Sequence, residues 1–139
     1  MQDQLTSDSI ALQKLQNNYQ KRLWADFHWC DSMLQYIPQE QVGDYFEDLN
    51  LAQAYLSQFD EMLPVMQHTI SYSRQQLTNL KKDLDTHYIS ESLAIAYLED
   101  ETAVADTLHQ RILYFQDRLS QQDQSLGNTK KSIRKAAKP

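Results

Sequence analysis

Chemistry in this chain would fall to its four histidines, its one cysteine and the acids near them. His28 and Cys30 stand two residues apart. At about 100° per residue on a helix, that spacing turns the side chains about 200° from each other, which is wrong for ligating one metal. Asp106 and His109 are three apart and share a helix face. Di-iron bundles use a Glu-x-x-His pair twice, with two further glutamates; here the pair occurs once, with Asp. His68 and His87 are far apart in sequence. Two glycines, Gly43 and Gly127, cannot build a glycine-rich phosphate loop, and no strand–turn scaffold presents a nucleophile. No metal, cofactor or catalytic residue is therefore expected. Cys30 falls in an apolar stripe and is expected to be an inert core thiol.

One pair remains. Arg22 and His28, with five residues between them, resemble the short Arg–His motif of HEPN-type ribonucleases, which are small helical bundles. The resemblance covers seven residues. It implies that Arg22 would bind phosphate and His28 would be the acid/base group. On a helix the two lie about 120° apart. The polar residue that this family carries after its Arg is here Leu23, part of an apolar stripe. A HEPN-like ribonuclease is the enzymatic alternative; the leading expectation is a protein that is not an enzyme.

The elements that position these residues read as long helices. Leu49, Ala52, Leu56, Phe59, Leu63, Met66, Ile70, Ser73, Leu77, Leu80 and Leu84 follow a 3-4 spacing that repeats every seven residues. Pro64 interrupts the composition but not the register, which favours one continuous helix, kinked at the proline, over a separate helix that opens at Pro64. An earlier stripe, Leu12, Leu15, Tyr19, Leu23, Phe27, Cys30, Leu34 and Ile37, predicts a first helix that starts at Ser7 or Ser9 and stops before Pro38. Residues 38–43 read as a connector, with Asp44 capping the next helix. A turn is placed near 87–91, with Ser90 as cap. The Leu93–Leu98 run is almost wholly apolar and is expected to be buried, and Glu99–Thr102 reads as a second break. The stripe Ala105, Leu108, Ile112, Phe115, Leu119, Gln122, Leu126 then leads to Gly127 as a C-cap. The fold class expected is all-α: three to four long antiparallel helices in a bundle or extended helical hairpin with coiled-coil character. Residues 1–127 form the domain and 128–139 a disordered basic tail.

Composition narrows the function. The chain has 139 residues and a net charge of −6. No Lys or Arg occurs from Leu23 to Ser73 or from Asp83 to Gln110, while Lys130, Lys131, Arg134, Lys135 and Lys138 crowd the end. An acidic body repels phosphate backbones, so nucleic acid is an unlikely ligand on this reading, and a basic protein suits it. No apolar run approaches the roughly 20 residues that span a bilayer, and the amino-terminal residues are not those of a signal peptide, so a cytoplasmic location is expected. Trp29, Met33 and Tyr36 lie to one side of the first stripe and are the expected apolar anchors for a partner; Asp44, Glu47 and Asp48 would steer it. The layout is similar to that of the helical export chaperones of flagellar and type III systems, in architecture alone. The expected function is protein binding, as chaperone, adaptor or inhibitor. A self-associating coiled-coil subunit is the alternative, with a possible homodimer through the Leu77–Leu84 end of the long stripe.

Overall fold

A computed structural model describes residues 2–137. The elements are α1 (Gln2–Leu15), a π-helical turn (Gln16–Gln20), α2 (Lys21–Met33), a 3-10 turn (Leu34–Tyr36), α3 (Gln39–Asp85) and α4 (Glu91–Ala137). No strand occurs among the described residues, so the all-α expectation holds, and three helices pack against one another. The run from α1 through α2 supplies one of them; α3 and α4 supply the others.

The chain divides into two compact units, Met1–Gln13 with Met62–Tyr114, and Lys14–Glu61 with Phe115–Pro139. Each has its own core. In the first, Leu5 and Leu12 of α1 are buried, as are Leu63, Met66 and Ile70 of α3 and Ala105, Leu108 and Ile112 of α4. In the second, Leu23, Phe27 and Cys30 of α2 are buried, with Leu49, Leu56 and Phe59 of α3 and Phe115, Leu119 and Leu126 of α4. Each large apolar side chain so covered stabilises the fold by roughly 1.5–3 kcal/mol.

The π-helical turn has a cause in the sequence. The first stripe keeps a 3-4 spacing up to Leu15, then steps by four three times, through Tyr19 and Leu23 to Phe27, before the 3-4 spacing resumes. That is one residue too many for an α-helix to keep its stripe on one face. A π turn closes i→i+5 bonds and absorbs one extra residue, and it falls at Gln16–Gln20, where the excess lies.

Pro64 stands inside α3, which continues through it as expected. A proline there forfeits a backbone bond and crowds the carbonyl one turn back, at a cost of about 3 kcal/mol. Burial of the stripe at Leu63, Met66 and Ile70 holds the helix across this weak point.

Several boundaries differ from expectation. α1 begins at Gln2, not near Ser7, because Leu5 and Asp8 continue the stripe and are buried. α3 begins at Gln39, so Asp44 is interior rather than a cap, and the connector is only Ile37 and Pro38, with Ile37 extended as a residue before proline must be. Glu99–Thr102 is no break. The tail expected to be disordered is corrected as well: α4 runs to Ala137, and Thr129 and Ile133 prolong its stripe into the core. Lys138 and Pro139 lie outside the described residues.

Gly127 is therefore not a C-cap but a helix-interior residue, as is Gly43, and neither has an atom within 4 Å of where a Cβ would stand. Glycine in a helix interior costs about 0.5–1 kcal/mol relative to alanine. Gly43→Ala and Gly127→Ala are each expected to raise unfolding stability by that amount, read as a higher denaturant midpoint. An unchanged or lower midpoint would contradict the two sites' open surroundings.

The turn expected near 87–91 is present. α3 ends with the Tyr88 N–H donating to the Asp83 carbonyl at 2.8 Å and the His87 N–H donating to the Leu84 carbonyl at 3.1 Å. This bond pair needs a left-handed residue in the middle, and His87 supplies it with φ 58°. Ser90 caps α4 as expected, its hydroxyl accepting the Leu93 N–H at 3.2 Å. His87→Gly removes the left-handed penalty at the price of a looser unfolded chain, and a net gain of about 0.5–1 kcal/mol is expected in thermal unfolding.

Candidate protein-docking surfaces

The anchors read from sequence sit on α2 and the 3-10 turn. Trp29 is half-buried, with the Lys130 ammonium 5.4 Å and the Arg134 guanidinium 5.3 Å from its ring centroid. Lys130 also donates to Asp26 at 3.1 Å. Two of the basic residues expected to lie in a free tail, Lys130 and Arg134, are thus engaged within the unit, both on Trp29; Lys131 and Lys135 are exposed. Met33 is half-buried, and Tyr36 is 64 % exposed. Asp44, Glu47 and Asp48 are exposed on α3. Asp44 and Asp48 also line a polar groove with Gln121, Gln124 and Asn128 of α4.

Arg22 forms an ion pair with Asp123, which raises the guanidinium's pKa further, and sits against the Tyr19 ring. His28 stacks on Trp24, with ring centroids 5.5 Å apart. The Trp24 indole N–H in turn donates to Asp60 at 2.8 Å. Arg22 and His28 thus share no partner. Among the described residues, no three His, Cys, Asp or Glu gather as metal ligands, and no helix is long and apolar enough to cross a membrane.

Cys30 is fully buried, and burial, seconded by the charge of Asp26, pushes its thiol up to about 11 from an ordinary 9.0. The proton is held more tightly in the fold than in the unfolded chain. Stability from this source is present below pH 9.0 and is lost as pH rises toward 11, by about 2–3 kcal/mol. Comparing the wild type with Cys30→Ala at about pH 8 and about pH 10.5 tests this: the wild type should lose more stability between the two. Equal losses would contradict it.

Two further features stand out, of which sequence pointed only to the Leu77–Leu84 side of the second. The first is a polar layer in the α1 stripe. Asp8 is 1 % exposed, and its Oδ1 accepts from Gln4 Nε2 at 3.0 Å and from His109 Nδ1 at 2.8 Å. Its other oxygen and the nearly inaccessible Ser73 hydroxyl have no hydrogen-bond partner. The Asp106-His109 spacing drew attention to the histidine, but its acid is Asp8.

The second is an apolar groove of about 560 Å³ beside the α3–α4 turn, lined by Leu77, Leu80 and Leu84 of α3 and Ala94, Ile95 and Leu98 of α4, with Lys81 and Glu91 at its edges. Leu93, Ile95, Tyr97 and Leu98 were expected to be buried. Only Ala94 of that run is, and Ile95 is 57 % exposed. Tyr88 on the turn is 81 % exposed. A helix apolar on all sides can be satisfied only by neighbours on all sides; among the described residues, this groove is lined from α3 and α4 alone.

No family model, curated relative or solved structure matches this chain.

Proposed function

We propose that this chain is a non-enzymatic, protein-binding bundle of long antiparallel helices with coiled-coil packing, working as a chaperone, adaptor or inhibitor. The observation that carries the reading is the contrast within the first unit: the heptad stripe is covered along most of its length but stands open near the α3–α4 turn, where Leu84, Ile95 and Leu98 line one groove and are exposed. Contiguous exposed apolar surface of this kind marks interaction sites. The carboxylates Asp83, Asp85, Glu91, Glu99, Asp100 and Glu101 of the same unit fit a basic partner. On the second unit, Asp44, Glu47 and Asp48 are the proposed steering charges and Tyr36 the open member of the Trp29–Met33–Tyr36 set. The single buried thiol of Cys30 is compatible with a reducing compartment such as the cytoplasm.

The test is affinity purification of the tagged chain from its native cell at low and high salt. A basic protein recovered in stoichiometric amount and released by salt is the expected result. Recovery of the chain alone, as a higher oligomer, would replace this reading with the self-associating structural subunit. An Arg22→Ala/His28→Ala variant separates both from the ribonuclease alternative, since RNA cleavage by the wild type and not by the variant would show an enzyme.

A further inference from the structure

We propose that the open seam beside the α3–α4 turn is a docking groove for an amphipathic helix of another protein, one with basic residues flanking its apolar stripe. The inference rests on the protein-binding reading and deepens it by naming the place and the partner's chemistry.

Three observations support it. The groove prolongs an interface that the chain already makes. Within the first unit, α1 lies against α3 and α4: Thr6 is bonded by Arg74, Gln4 and Asp8 meet His109, and Leu5 and Leu12 are buried. The α3 positions that continue the same heptad line are Leu77, Leu80 and Leu84, and exposure rises along them, from buried to half-buried to exposed. On α4 the line runs back from Ala105 through Leu98 to Ala94, with Leu98 exposed. Among the described residues, the register that seats one helix thus continues where no third helix covers it.

The groove also has the dimensions of a short helical contact. Leu77 to Leu84 is two turns, about 10 Å, which admits two or three anchors at i, i+3 or i+4, and i+7, as helix-in-groove recognition uses.

Charge selects the occupant. Between Leu77 and Glu101, two lysines (Lys81 and Lys82) stand against six carboxylates (Asp83, Asp85, Glu91, Glu99, Asp100 and Glu101). A second copy would bring the same negative excess to the contact. A helix with Lys or Arg beside its apolar stripe brings the opposite one, and like-charge juxtaposition is what suppresses wrong partners.

The probe is a synthetic helical peptide of about 18 residues, long enough to hold a helix, with leucines at i, i+3, i+7 and i+10 and Lys or Arg on the flanks. A matched peptide carries Glu on the flanks. Both are titrated against the full chain by fluorescence anisotropy. Binding of the basic peptide is expected to be about tenfold tighter than that of the acidic one at low salt. Leu84→Glu/Leu98→Glu should weaken it about tenfold or more, while Leu51→Glu, at an exposed position of α3 in the second unit, should leave it unchanged. Ile95→Glu serves as the second tip variant if the double substitution fails to fold by circular dichroism. Equal affinity for the two peptides, absence of saturable binding, or binding indifferent to the tip variants overturns the proposal. So does a concentration-dependent dimer of the peptide-free chain that Leu98→Glu dissolves, because the groove would then belong to a second copy. If the tip variant still captures the salt-released cellular partner, this site fails while the protein-binding reading stands.

Discussion

Phe59→Ala is expected to destabilise the protein by about 3–5 kcal/mol, the range for removing a fully buried phenylalanine that the surroundings cannot replace. Phe59 has no exposed surface, and its ring meets the Phe115 edge at 5.3 Å between centroids and 66° between planes, a favourable edge-to-face arrangement. Its truncation removes the α3 half of the aromatic pair that joins α3 to α4 in the second unit. The flanking core residues Leu56 and Leu119 sit on helices fixed by their own stripes and can fill only part of the space. The readout is the urea midpoint followed by circular dichroism. A loss under about 1 kcal/mol would mean that the site collapses freely and that the aromatic pair does not organise this core.

The second large effect lies in the polar layer of the first unit. Asp8 is buried with His109 and Gln4 as its donors. A carboxylate can only accept, so the bond to His109 needs the hydrogen on Nδ1. His109→Ala strands the carboxylate in the core and is expected to cost about 2–3 kcal/mol, the low side of breaking a buried pair, because Gln4 still donates. Asp8→Leu is expected to be neutral or to stabilise by about 1 kcal/mol, since it removes a buried charge whose second oxygen has no partner and leaves His109 with access to water. The double variant should therefore be more stable than His109→Ala alone. If His109→Ala lies within about 0.5 kcal/mol of the wild type, the layer is not an energetic feature of the fold. Retention of so costly a residue fits a role in fixing the α1 register, as polar residues at stripe positions do in coiled coils.

The helices were legible because the stripes are regular. All but the last two positions of the Leu49–Leu84 line are buried, and the line from Ala105 to Leu126 is buried throughout, including the polar Ser73 and Gln122. The continuity of α3 through Pro64 was read correctly because the register outweighed the local propensity. Boundaries read from cap-type residues went astray: Asp44, Glu99–Thr102 and Gly127 are all tolerated inside helices whose other faces are buried. The tail was misread because its charges hid two core positions, Thr129 and Ile133, that keep the heptad going. The π turn was legible in principle, as three successive steps of four between Leu15 and Phe27, a signal of one surplus residue.

The docking surfaces were half legible. Tyr36, Asp44, Glu47 and Asp48 are exposed as a binding role requires, whereas Trp29 is engaged by Lys130 and Arg134. Those contacts arise between residues about a hundred positions apart in sequence, which periodicity cannot foresee. The Leu93–Leu98 run was read as buried on its apolarity alone. Whether such a run is core or docking surface depends on how many helices reach it, a tertiary fact.

The measurement that bears most directly on the central claim is carbene footprinting of the chain with and without the partner recovered from its native cell. Protection is predicted to fall on Leu80, Leu84, Ile95 and Leu98, with Tyr36 changed less. Protection confined to Trp29, Met33 and Tyr36, or none along α3 and α4 near the turn, would contradict the account.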